Sequence, residues 1–189
     1  SQPRRSMAWA ALGLNLPAGR KVTLPFGEEK GMKKDFNKIE VLVHALNIDP
    51  LHTESWANLA GAMKEGGFYG PDHKVKIDDT EFTHVQVLAH ALSMDDTVVP
   101  IWVNLGVALQ EMDSVKIRNT AEGQLKPPPS DMEVDGVTYT AVKCFTNALA
   151  LNPKLKQAHH FLAKIYEEMG EKQKASFHTR SAEKISGQK

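Results

Sequence analysis

Among 189 residues there is one cysteine, Cys144, and no surplus of charge, with 23 basic side chains against 23 acidic ones. A lone thiol closes no internal disulfide, so the fold does not depend on an oxidising compartment. Zero net charge supplies no field for a phosphate backbone or an anionic lipid surface, so no nucleic acid and no membrane is expected as a partner. No apolar run approaches the roughly 20 residues of a membrane span, and Ser1 to Ser6 lead into no signal-type apolar core. The expected setting is cytoplasmic and reducing. An apolar fraction of 41% with 24% charged residues is ordinary for a globular chain and provides a core.

What the chain does have is repetition. Trp9-Ala-Ala-Leu12-Gly13, Trp56-Ala-Asn58-Leu59-Ala60 and Trp102-Val-Asn104-Leu105-Gly106 follow one pattern, with His159-His-Phe-Leu162-Ala163 a degenerate fourth copy. A second pattern runs through Ala45-Leu46, Ala91-Leu92 and Ala148-Leu149, with a worn version around Ala182. From Ala45 to Trp56, from Ala91 to Trp102 and from Ala148 to His159 the interval is always 11 residues. From the Trp column to the alanine of the same copy it is 36, 35, 46 and 23 residues. Length varies inside the units and never between them.

Apolar residues recur three and four apart in both halves of each unit, as in Trp102, Leu105 and Leu109 and in Val142, Phe145 and Leu149, so each unit reads as a helical hairpin. Pro50 and Pro153 follow the second helix, where a missing amide donor does least harm. Gly13, Ala60, Gly106 and Ala163 stand one place after a leucine and are packing positions rather than phosphate loops, since no nucleotide-binding pattern surrounds them.

These residues resemble the tetratricopeptide repeat family: the Trp-x-x-Leu-Gly opening, a large residue further along the first helix (Leu16, Met63, Leu109, Tyr166), the alanine of the second helix and the closing proline. The 34 residues from Ala148 to Ala182 match the usual repeat length. The resemblance implies an all-α, right-handed helical-hairpin solenoid in one domain over 1–189, with repeats near 7–50, 53–96, 99–153 and 156–186.

Measured against the fourth unit, the first three carry 13, 12 and 23 extra residues between their helices. Alternating apolar positions around Asp78-Asp79 and Asp135-Gly136 predict short β-hairpins, with Thr83 and Thr140 as amino caps of the helices that follow. The first insertion, Val22 to Gly27, shares the strand-like start. A two-stranded hairpin is about as wide as packed helices are apart, so neighbouring hairpins can meet and a continuous small sheet along one edge is expected. Pro127-Pro128-Pro129 reads as extended and stiff.

No arrangement for catalysis emerges, and no cofactor or metal is expected. His44 and His90 occupy one column of different units, too far apart to share an ion; Glu40 and His44 share a helix face; His159 stands in the Trp column; Cys144 reads as a small core residue. The chain is expected to be no enzyme but a protein-protein interaction module holding a protein or peptide partner. The resemblance implies that the first helices line a concave groove, with Asn58 and Asn104 toward the ligand main chain and Gly61, Lys64, Val107, Gln110 and Lys164 further along. Members that grip a carboxylate at a chaperone tail use basic residues where this chain has Ala10, Leu14, Pro100 and Asn104, so chaperone-tail binding is not expected. The alternative is a structural subunit, in a larger complex or a homo-oligomer, that contacts partners through the hairpin edge and the apolar first helix, Met7 to Leu16. That helix needs a cover, from another subunit or upstream repeats, whereas the charged last helix, Lys172 to Ile185, can face water.

Overall fold

The computed structural model describes residues 2–25, 33–68, 72–118, 132–134 and 137–187. Phe26-Gly27, Pro127 to Pro129 and the Asp135-Gly136 turn lie outside the described residues. The chain divides into two compact units, Ser1–Asp95 and Asp96–Lys189, each described by itself.

The first unit contains α1 (Gln2–Asn15), β1 (Lys21–Pro25), β2 (Lys33–Asn37), α2 (Lys38–Ile48), α3 (Thr53–Glu65), β3 (Lys74–Ile77), β4 (Thr80–Thr83) and α4 (His84–Met94). Helix α1 packs on α2, α3 on α4 and α2 on α3, and α1 also touches α3. The interval from the Trp column to the alanine is thus occupied by helix, strand pair and helix. The core is the inward stripe of each helix, with Leu42, Leu46, Trp56, Leu59, Met63 and Leu88 buried; each such side chain contributes about 1.5–3 kcal/mol relative to exposure.

Local chemistry starts the second helices. Asn37 caps α2 in a capping box with Glu40, and Thr83 caps α4 in one with Gln86. Helix α1 starts five residues before the expected Met7 and carries Arg4 and Arg5 exposed, so it is not apolar all round. The large apolar side chains it exposes, among the described residues, are Met7 and Leu14, seven residues apart on one face.

The second unit contains α5 (Val99–Arg118), β5 (Met132–Val134), β6 (Val137–Tyr139), α6 (Ala141–Leu151), α7 (Lys156–Glu168) and α8 (Lys172–Ser186). Thr140 caps α6 through a bond from the Lys143 amide. In α7 and α8 the repeat is uninterrupted. Helix α7 ends with Gly170 at φ 78, its amide bonded to the Glu167 carbonyl and that of Glu171 to the Tyr166 carbonyl. This is a left-handed glycine stop. Helix α3 ends in the same way at Gly67, φ 77, with bonds to Lys64 and Met63. The insertion therefore begins only after the ordinary end of α3.

The strands form three separate antiparallel pairs among the described residues, β1 with β2, β3 with β4 and β5 with β6. The expected continuous sheet does not form. In the first unit the reason is visible: the Asp78 amide, at the turn between β3 and β4, donates to Asn47 Oδ1 at 2.6 Å. That bond holds the second hairpin on the end of α2 rather than beside the first. Asp78 sits at φ 50, a conformation aspartate tolerates better than most side chains.

Candidate functional site

The constant junction has a chemical cause. After α2 the Asp49 amide closes the last turn on Ala45; after α4 Asp95 does so on Ala91, and after α6 Asn152 on Ala148. The indole N–H of the following tryptophan then reaches back six residues. Trp56 Nε1 donates to the Pro50 carbonyl at 2.8 Å, and Trp102 Nε1 donates to the Asp96 carbonyl at 2.6 Å. His159, the degenerate copy, places Nε2 3.3 Å from the Pro153 carbonyl and takes over the donor role. One residue more or less would break this bond, so the junction keeps its length.

This anchoring sets the faces of the first helices. Trp56, Leu59, Ala60 and Met63 of α3 are buried, while Asn58 and Gly61 are half-buried and Lys64 is exposed. On α5, Trp102, Leu105, Ala108 and Leu109 are buried, while Asn104, Val107 and Gln110 are half-buried. On α7, Lys164 is exposed. The predicted residues thus fall two, five and eight places after the Trp column, on the accessible side of each helix. A Cβ built on Gly61 meets nothing within 4 Å, so the space before it is open. Lys64, Asn104 and Gln110 also interact within the chain. Asn58 belongs to the first unit and Asn104 to the second.

The small-residue column is packing. A Cβ on Gly13 would lie 2.7 Å from Leu42 Cδ2, and one on Gly106 2.9 Å from the Phe145 ring.

The histidines belong to structural clusters. His44 stands against Trp9, ring centres 4.3 Å apart, with Phe36 at 6.2 Å. His90 repeats this against Trp56 and Phe82, at 4.3 and 5.9 Å. In the third copy Trp102 meets Tyr139 at 6.1 Å. Phe36, Phe82 and Tyr139 stand nine residues before Ala45, Ala91 and Ala148, a column sequence reasoning missed although the fixed offset was there to find. They tie the end of each strand pair to the helix hairpin that carries it. Glu40 is engaged as a capping group, accepting from the Asn37 amide at 2.9 Å, and pairs with Lys34 at 3.4 Å. Cys144 is fully buried, and burial pushes its thiol up to about 12, so it does not supply a thiolate near neutral pH. Among the described residues no group of three or more metal-ligating side chains comes together, and no helix is long and apolar enough to cross a membrane.

The first unit also holds a cleft of about 400 Å³ between β2, α2 and β3. Lys34 lies on one rim, Lys74 and Lys76 on the other, and Ile39 and Val43 of α2 between them. Sequence reasoning did not find it.

No protein-family model matches the chain, and no curated protein matches it. In fold it is similar to solved structures of MamA. One, designated AMB-1, has a TM-score of 0.56 and 19% identity over 80% of this chain and 64% of that one. Another has a TM-score of 0.55 and 13% identity over 79% and 67%, and one designated MSR-1 has 0.53 and 18% over 79% and 66%. This chain spans about two thirds of their length. At such identities the likeness is one of fold, and it supports a helical repeat of tetratricopeptide type.

Proposed function

We propose that the chain is a non-catalytic interaction module, an adaptor or scaffold, that holds an extended peptide or protein segment along the first helices of its hairpins. One observation carries the reading: Asn58, Gly61 and Lys64, and again Asn104, Val107 and Gln110, lie accessible at one spacing from a buried tryptophan. A side-chain amide both donates and accepts, so asparagines repeated at one place suit a ligand main chain whatever its side chains. Lys164 extends the same row on α7.

In this reading the row lines a concave groove, successive hairpins within each unit wind right-handed, and 1–189 is one tetratricopeptide-like domain. The partner is a protein, with neither nucleic acid nor cofactor involved, and the setting is cytoplasmic, in keeping with a lone buried thiol. The test is a peptide selected from a display library on the wild-type chain. Asn58→Ala with Asn104→Ala should weaken its binding about tenfold or more with far-UV helicity unchanged. Equal affinity in the double variant would move the site to the strand-pair side.

A second reading has its own observation. Met7 and Leu14 on α1 are 60% and 59% exposed, which suits a structural subunit whose first helix is covered by another chain or by further repeats. Sedimentation mass separates the two readings, since a stable oligomer that is dispersed by Met7→Lys favours the second.

A further inference from the structure

We infer that the cleft between β2, α2 and β3 is a second recognition site, taking an extended acidic segment of a protein partner that carries apolar side chains among its carboxylates. The lining follows from local sequence. In β3 alternate residues face opposite ways, so Val75 and Ile77 are buried while Lys74 and Lys76 stand exposed on the rim. On α2, Ile39 and Val43 are four apart, share a face and are half-buried. Lys34 of β2 completes the opposite rim.

Charge decides the class of occupant. Three lysines line the cleft against one carboxylate, Glu40, which is already engaged by the Asn37 amide and by Lys34. Lys74 pairs with Glu81 and Lys76 with Asp79, and all four side chains are about half exposed or more. Exposed pairs of this kind exchange at little cost, so an incoming carboxylate can displace them. The cationic field reaches the floor: His44 is held below its ordinary pKa by burial first, and then by Arg5 and Lys34. Shape decides the rest. Both rims are strands, each with a strand partner on one side alone among the described residues. An extended chain laid between them alternates its side chains between the lysines and the apolar floor. A bare anion would use the lysines and leave Ile39 and Val43 untouched.

The test uses the full chain with three probes: a blocked octapeptide alternating glutamate and valine, its lysine-for-glutamate counterpart, and inorganic phosphate. Anisotropy should show binding of the acidic peptide alone, weakening several-fold from low to high salt, with methyl shifts at Ile39, Val43 and Val75. Lys34→Gln with Lys74→Gln and Lys76→Gln should weaken it about tenfold, and Asn58→Ala with Asn104→Ala should leave it unchanged, which keeps this site separate from the one proposed above. Undiminished affinity in the triple glutamine variant, equal binding of the lysine peptide, absence of those methyl shifts, or the same shifts with phosphate alone would each overturn the inference.

Discussion

His159 and His178 meet Nδ1 to Nδ1 at 2.9 Å, and the other nitrogen of His159 decides which of them carries the hydrogen. His159 Nε2 faces the Pro153 carbonyl, an acceptor only, so the hydrogen of neutral His159 is on Nε2 and its Nδ1 accepts from His178 Nδ1–H. Tyr166 stacks on His178 at 5.7 Å, with the Lys174 ammonium over the far ring. Burial first, and His159 second, lower the pKa of His178. The unfolded chain therefore takes up this proton before the folded one, and the contribution of His178 is present above about pH 6.5 and is lost as pH falls through its folded value. Nitrogen-edited NMR should show Nε2–H on His159, Nδ1–H on His178 and a His178 midpoint below the ordinary 6.5; the reverse tautomers, or a raised midpoint, would refute the assignment.

His84 is predicted to make the fold sensitive to mild acid. It opens α4 in a buried position, with Nε2 3.1 Å from the Ala60 carbonyl and no partner for Nδ1 among the described residues. Burial lowers its pKa to about 4, with the Ala60 hydrogen bond opposing and Lys64 adding to the fall. Because the folded value lies below the unfolded one, stability drops between about pH 6.5 and 4, by about 3 kcal/mol at most. Ala141 and Ala175 hold the same place, seven residues before the alanine column. His84→Ala should therefore fold, and urea midpoints followed across that range should lose this part of the slope. An unchanged slope would show that other groups dominate.

Much of this architecture is legible in the sequence because it is periodic. The four helix pairs follow from apolar spacing, and the invariant junction from Ala45, Ala91 and Ala148. Thr83 and Thr140 cap as expected, since their side-chain oxygens precede helices that must satisfy free amides. What stayed hidden depends on contacts between residues distant in the chain. Nothing near Asp78 announces that its amide binds Asn47, 31 residues earlier, so the separation of the strand pairs and the lysine-rimmed cleft were not foreseeable. His84 shows the same limit, as an imidazole at a place that Lys38, Ala141 and Ala175 hold in the other copies, accommodated by one backbone carbonyl. For the proposed groove, the recurrence of asparagine two places after the Trp column, together with the family resemblance, marked Asn58 and Asn104, and the structure adds that both are half-buried.

Gly106→Ala should destabilise the second unit although alanine is the better helix former. The added Cβ would lie 2.9 Å from two carbons of the Phe145 ring and 3.1 Å from a third. Phe145 is fully buried and stacks on Phe161 at 4.8 Å, so it has little room to retreat. Overpacking costs about 1–3 kcal/mol against a propensity gain of about 1 kcal/mol. A net loss of about 1 kcal/mol should appear as a lower thermal midpoint, and Phe145→Leu in the same chain should recover part of it, since the second copy combines an alanine, Ala60, at the place of Gly106 with a leucine, Leu88, at the place of Phe145. A gain in stability from Gly106→Ala alone would mean that the helices are not in close contact there.

Trp56→Phe tests the junction itself. Phenylalanine keeps an aromatic face for Phe82 and His90, whose ring centres lie 5.1 and 4.3 Å from that of the indole, but it has no N–H to offer the Pro50 carbonyl. That carbonyl belongs to an exposed residue, so water can replace part of the bond, and the loss from the hydrogen bond alone should be about 1 kcal/mol. The smaller ring adds to it, because Trp56 is 2% exposed. The effect should be local. Amide exchange should accelerate at Ser55, whose N–H is held by the His52 carbonyl inside the same turn, while the Ala158 amide, in a junction closed by His159, keeps its protection. Equal acceleration at both would show that the tryptophan stabilises the whole chain rather than fixing the connection in which it lies.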